Sequence, residues 1–217
     1  MTDPPKNCDP RLVEAEILAR KIIATQPDNP DALNGLGLIL MEQDDHAAAA
    51  GYFSQAVAQE SERQDFRSNL SRALSSAAWT AVEAGSPETA LDHLEKILLI
   101  DPNRVETVCQ MAFSLFSCDR FSEALEMADK AVGMEIHHAH AHDVRGLALM
   151  GSDKINDAVA AFQKALEIDP NFVSARTNLG TALLARRDHR EALRHLGKAL
   201  QLEPDNAMAC NNLGLVL

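Results

Sequence analysis

The sequence predicts an all-α chain of stacked antiparallel helix pairs, and three observations carry that prediction. Small residues recur at a fixed interval: Ala78, Ala112, Gly146, Gly180 and Gly214 are each 34 residues apart, and Gly37 precedes Ala78 by that step plus seven. Apolar residues around them follow spacings of three and four, which place them on one buried stripe of a helix. The chain has only 1 Trp, 1 Tyr and 7 Phe in 217 residues but abundant alanine; close-packed helices favour that balance, whereas sheets draw on β-branched and aromatic side chains. A helix pair cannot bury its apolar face alone, and stacked pairs make a continuous core.

The elements follow in order. Residues 1–9 are expected to form a disordered tail, and a lone helix follows within 10–27, about Pro10 to Thr25, ending at Pro27. Five full repeats are expected at 30–63, 71–104, 105–138, 139–172 and 173–206, with an incomplete one at 207–217. Three positions after each small residue stand Leu40, Ala81, Leu115, Leu149, Leu183 and Leu217. Twelve after it come Ala49, Ala90, Ala124, Ala158 and Ala192, then Phe53, Leu94, Ala128, Phe162 and Leu196. Proline, which cannot continue a helix, closes three repeats at Pro102, Pro170 and Pro204. Gly85-Ser86-Pro87 reads as the turn between two helices of a pair. Seven extra residues precede the second repeat; they are about two helical turns, so phase is nearly kept. A long helix is therefore expected from about Gln64 to Glu83, with Phe66 and Leu70 on its buried stripe. The third repeat ends at Ile136 and runs into a histidine-rich joint.

The segments ALDHLEKILLIDP (90–102), AVAAFQKALEIDP (158–170) and ALRHLGKALQLEP (192–204) resemble the second helix of the tetratricopeptide repeat, and ARTNLGTALL (175–184) resembles the first. The resemblance runs from about residue 13 onward and implies a right-handed α-solenoid, the superhelix of that family. It also implies that the first helix of each pair lines a concave groove. On that reading one groove column holds Leu38, Trp79, Phe113, Leu147, Thr181 and Leu215, and the next holds Met41, Val82, Phe116, Met150 and Leu184. Toward the helix starts lie Asn34, Ser75, Cys109, Asp143, Thr177 and Asn211. Trp79, Phe113, Phe116, Leu147 and Met150 form an apolar centre, the kind of surface that marks an interaction site. The alternative is that these side chains fill the groove themselves, with Phe116 in the core. The Lys, Arg and Asn set with which some members of the family clamp a chaperone carboxylate is missing, since Cys109, Phe113 and Asp143 stand there. The asparagine ladder found in the repeats of O-linked N-acetylglucosamine transferases is represented only by Asn178 and Asn212; Gly35, Ser76, Gln110 and Val144 fill the earlier places.

Charge narrows the partner class. The formal net charge is -12, which opposes nucleic-acid binding and adsorption to anionic membranes. No run of about 18 apolar residues is present, so no membrane insertion is expected. The fifth repeat is the basic exception, with Arg186, Arg187, Arg190 and Arg194 as a candidate patch for an anionic partner, beside Arg176 and Lys198; the alternative is a solvated helix face. His138 and His142 are one helical turn apart, a usable ligand pair for a metal, although half-exposed histidines at a repeat joint account for them equally. No metal or cofactor is therefore expected. The four cysteines form no C-x-x-C pair, and Cys109 and Cys118 are separated by roughly 13 Å of helix rise, too far for a disulfide. Free thiols, and no secretory leader in the first residues, point to the cytoplasm.

No catalytic motif is present, neither G-x-S-x-G, nor a phosphate-binding loop, nor H-E-x-x-H. The sequence thus predicts a non-enzymatic protein-interaction scaffold that binds a peptide or helix in its groove. Two rivals stand beside it. One is the substrate-recognition or regulatory region of a larger enzyme, such as a glycosyltransferase. The other is a structural protein that self-associates head to tail through open ends.

Overall fold

The structure is a computed structural model that describes residues 10–214; the expected tail at 1–9 and the end of the incomplete repeat at 215–217 lie outside the described residues. The described residues form twelve helices: α1 (Pro10–Thr25), α2 (Pro30–Glu42), α3 (His46–Gln59), α4 (Gln64–Glu83), α5 (Pro87–Ile100), α6 (Val105–Ser117), α7 (Phe121–Met134), α8 (Ala139–Gly151), α9 (Ile155–Ile168), α10 (Val173–Ala185), α11 (His189–Leu202) and α12 (Ala207–Gly214). They fall into two compact units. One holds α1 to α4 with Asp92–Pro102; the other holds Ser86–Leu91 and α6 to α12. Among the described residues the fold is all-α.

Each first helix stops for the same local reason. Asp44, Asp119, Asp153 and Arg187 have φ between 58° and 65°, and Gly85 has φ 72°. These residues share one place in the 34-residue period. In that left-handed conformation the next amide turns back on the helix: Asp45 N–H donates to the Leu40 carbonyl, Arg120 to Leu115, Lys154 to Leu149 and Asp188 to Leu183. Such a cap satisfies carbonyls that the helix end would otherwise leave open. Entry into the second helix is sealed at α3 by Asp45, whose carboxylate accepts from Ala48 N–H.

In the first unit the seven extra residues are helix, not linker. α4 begins 34 residues after α2, at Gln64, and runs on for 20 residues. Phe66 is fully buried and packs with Leu33 and Ala56, flanked by Ile23, Tyr52 and Val57. Arg63 lies over the Phe66 ring at 3.8 Å and pairs with Asp31, Glu60 and Asp65. At the far end of the same unit, Arg67 donates to the Ile100 carbonyl at 2.7 Å. The Gly37 backbone meets the Phe53 ring, fully buried, at the α2–α3 crossing.

In the second unit the pairs α6–α7, α8–α9 and α10–α11 stack in order. Leu149, Ala158, Phe162, Leu179 and Leu183 belong to one buried cluster. Leu115, Ala124 and Ala148 belong to another, with Leu91 and Phe116 packed against them, and Leu196, Ala199 and Ala209 to a further one. The small-residue column is the contact surface within each pair: Gly146 lies against Phe162 and Gly180 against Leu196. No described helix is long and apolar enough to cross a membrane.

Candidate functional site

The first helices carry the side chains assigned to the groove, and each unit presents its own portion. In the first unit Trp79 is 53% exposed and Leu38 37%. The Trp79 indole N–H donates to Glu83 Oε1 at 2.9 Å, which fixes the ring along α4. Met41, Ser75 and Val82 are half-buried. Asn34 is half-buried too, and its Oδ1 accepts from Asn69 Nδ2 at 2.9 Å. Counting from Ala78 puts Ser76 in the ladder column. The chain uses Asn69, one heptad earlier, because α4 starts in step with α2 and is one heptad longer.

In the second unit the column nearest the helix starts is largely withdrawn from solvent. Cys109, Asp143 and Thr177 are 0%, 2% and 2% exposed, so they are not the displayed groove residues expected from their column. At this position of the period the side chain points into the joint between successive first helices, where the next repeat covers it. Phe113, Phe116, Leu147, Met150 and Thr181 are half-buried. Phe116 packs on the Leu115 cluster and stacks at 5.8 Å on Phe121, so its ring serves the core as well as the surface. Leu147, Met150 and Leu184 pack on the Leu149–Phe162 cluster in the same way.

The central polar feature of this unit is Asp143. Its Oδ1 accepts from Asn178 Nδ2 and its Oδ2 from the Ser174 hydroxyl, both at 2.9 Å. Burial disfavours the charged form, and the Asp143 carboxyl is pushed up to about 6 although the two hydrogen bonds oppose the shift. Cys109, sealed beside it, is pushed up to about 12 by burial and by the carboxylates of Glu106, Asp143 and Glu135. A thiol of that kind is not a nucleophile near neutral pH.

Ser174 and Asn178 also line a cleft of about 310 Å3, formed by Phe172, Val173, Thr177, Glu203, Asn206 and Met208. Its lining mixes apolar surface with hydrogen-bonding groups. The Thr177 hydroxyl is buried without a partner, and Met208 is 57% exposed at the rim. Asn212 extends the polar run, donating to Thr181 Oγ1 at 2.7 Å. Of the cleft residues, Thr177 was assigned to the groove from sequence and Asn178 to the ladder column. The others sit at the turns and the first helical positions, where the apolar columns give no signal.

The histidines have structural work. His138 Nδ1 accepts from Ala141 N–H at the start of α8, and its Nε2 lies 3.0 Å from Glu106 Oε1. The first contact requires the proton on Nε2, so the second is a donation to the carboxylate. It holds Glu106 below the usual carboxylate range. His142 is buried and its Nε2 contacts the Ile136 carbonyl at 2.9 Å. With His138 and His142 so engaged, they do not form a ligand pair, and no group of three or more metal-ligating side chains occurs among the described residues.

The basic patch is partly neutralised. Arg186 pairs with Asp188, and Arg194 with Glu191; Arg187 occupies the left-handed turn and Arg190 is exposed on α11. Arg194 instead comes together with Arg176 and Lys198, two cations outside the expected four, around a second cleft.

Residues 28–102 match one tetratricopeptide repeat family model and residues 149–209 another. The chain belongs to the tetratricopeptide-repeat family. No curated protein sequence matches it. Among solved structures it is similar to MamA from Desulfovibrio magneticus RS-1 (20% identity, TM-score 0.63, covering 83% of this chain and 98% of that one). It is also similar to YrrB, described as a TPR protein with an unusual peptide-binding site (19%, TM-score 0.58, 91% and 98%). A third likeness is the first TPR of Spaghetti bound to an HSP90 peptide (21%, TM-score 0.50, 54% and 92%). At these identities the likeness is one of fold.

Proposed function

We propose that this tetratricopeptide-repeat chain is a non-catalytic scaffold that holds a peptide or helical segment of a protein partner against its first helices. The observation that carries the reading is the cleft over α10 and α12. Apolar Phe172, Val173 and Met208 offer surface to a side chain, while Ser174, Thr177, Asn178, Glu203 and Asn206 supply a polar lining in which the Thr177 hydroxyl is buried without a partner. A site of few polar groups in apolar walls suits a peptide. In the first unit, exposed Trp79 and Leu38 supply the same kind of aromatic and aliphatic anchor. The repeat scaffolds of similar fold that hold peptides support the class of ligand, not its identity.

The test is selection of a displayed random-peptide library on the intact protein, followed by titration of the selected peptides against Asn178→Ala, Met208→Glu and Trp79→Glu. Loss of affinity by about tenfold or more, roughly 1.4 kcal/mol, in a variant with an unchanged thermal melt supports the groove. Equal affinity in all three variants sinks it.

A further inference from the structure

We infer that the outer face of the α10–α11 pair is a second docking surface, which takes an acidic segment of a protein partner through Arg176, Arg194 and Lys198. The inference does not depend on the groove reading. It starts from Arg176. Its column holds Leu33, Leu74 and Val108 in earlier repeats, each of them buried, and His142 in the repeat just before, whose Nε2 meets the Ile136 carbonyl as Arg176 meets that of Pro170. A guanidinium there adds a charge that the carbonyl contact does not require, and loses hydration that an aliphatic side chain would not need. One Arg176 N–H reaches the Pro170 carbonyl, but its Nε is buried without a partner among the described residues. The group is therefore held only in part.

What surrounds Arg176 is cationic. Arg194 and Lys198 line the same cleft of about 520 Å3, with Gly197 leaving open space and Gln201 at its edge. Arg190, Arg194 and Lys198 are one helical turn apart in succession on α11, so they project along one exposed face. Desolvation and the neighbouring Arg194 lower the Arg176 pKa, and the Asp169 carboxylate opposes them only in part. From 173 to 202 the chain carries Arg176, Arg186, Arg187, Arg190, Arg194 and Lys198 against only Asp188 and Glu191. Both acids already have arginine partners. In a protein of net charge -12 this is a local reversal of sign.

The geometry fits carboxylates. Arg194 already gives its Nε and one Nη to Glu191, and Arg176 one Nη to Pro170, so the groups left to meet a carboxylate are the remaining guanidinium N–H groups of the two arginines and the Lys198 ammonium. Repulsion from the rest of the acidic chain is screened beyond about 10 Å at 0.1 M salt, so the local cluster decides the encounter.

The experiment titrates a fluorescent octaglutamate peptide, with octaglutamine as the neutral control, into the full chain at 0.1 M salt. The parent should bind octaglutamate, ignore octaglutamine, and lose affinity as salt rises. Arg176→Leu removes the charge and supplies an aliphatic side chain like Leu33, Leu74 and Val108, so it should melt at or above the parent temperature yet bind about fivefold to tenfold more weakly. An Arg194→Ala, Lys198→Ala double variant should lose binding further, while Asn178→Ala, a groove substitution, should bind octaglutamate like the parent. No binding by the parent, undiminished binding by Arg176→Leu, or binding of pyrophosphate without binding of the peptide each overturns the assignment.

Discussion

Gly180 lies under Leu196 so closely that a Cβ added at Gly180 would stand 2.6 Å from two side-chain carbons of that leucine. The two residues are sixteen apart, one on each helix of a pair. Gly37 and Phe53, and Gly146 and Phe162, repeat the arrangement. Where the small member is instead Ala112, its partner sixteen residues on is Ala128, fully buried. At these four pairs extra volume on one helix is met by less on the other; Ala78 and Leu94, sixteen apart and both buried, depart from the pattern.

That reciprocity reverses an ordinary rule. Alanine normally stabilises a helix interior over glycine by about 0.5–1 kcal/mol, and Gly51→Ala, at an exposed site with open space around it, should do so. Gly180→Ala should instead cost about 1–3 kcal/mol by overpacking. In a Leu196→Ala background the same change should become neutral or stabilising. Urea unfolding of the four variants measures it.

Phe66 tests the seven added residues. A fully buried ring packed on Leu33 and Ala56 is core, so Phe66→Ala should destabilise the chain by about 3–5 kcal/mol. A neutral result in a denaturant melt would make the added heptad a passive spacer.

Asp143 gives a pH signature. Its folded pKa, about 6, is above the unfolded value near 3.8. Between those limits the folded state binds more protons than the unfolded state, so stability falls as pH rises from about 4 to 6 and is level above. Asp143→Asn keeps the shape without the charge. The stability of the variant minus that of the parent should grow by about 1–3 kcal/mol across that window and then stay constant. A difference that does not vary with pH refutes the account.

Thiol chemistry separates the cysteines. Cys210 is exposed, Cys118 intermediate and Cys109 buried. Iodoacetamide at pH 8 should therefore modify Cys210 in the native protein and reach Cys109 only after unfolding, as peptide mass spectrometry would record.

The period was legible because small and apolar columns repeat with the same spacing, and each is dictated by helix-on-helix contact. The chain's only tryptophan, Trp79, was legible as a surface residue for the same reason. The burial of Cys109, Asp143 and Thr177 was not. A polar residue in a column says nothing of whether the next repeat closes over it, and Asp143 is covered because Ser174 and Asn178, 31 and 35 residues on, supply its hydrogen bonds. Arg176 shows the converse limit. Its charge was plain in the sequence, but its loss of hydration and its convergence with Lys198 depend on how α10 and α11 lie together.

The long α4 has a consequence for how such a chain can change in length. Inserting residues inside a helix turns everything beyond them about the axis by roughly 100° for each residue. Seven residues bring the turn back to within about 20° of its start, and eleven do nearly the same in the other sense; five would swing the stripe of Phe66, Leu70 and Leu74 most of the way to solvent. Tolerated length at this helix therefore comes in discrete steps. Insertions and deletions that survive here should cluster at seven and eleven residues, as those in a coding sequence cluster at multiples of three, and for an equally geometric reason.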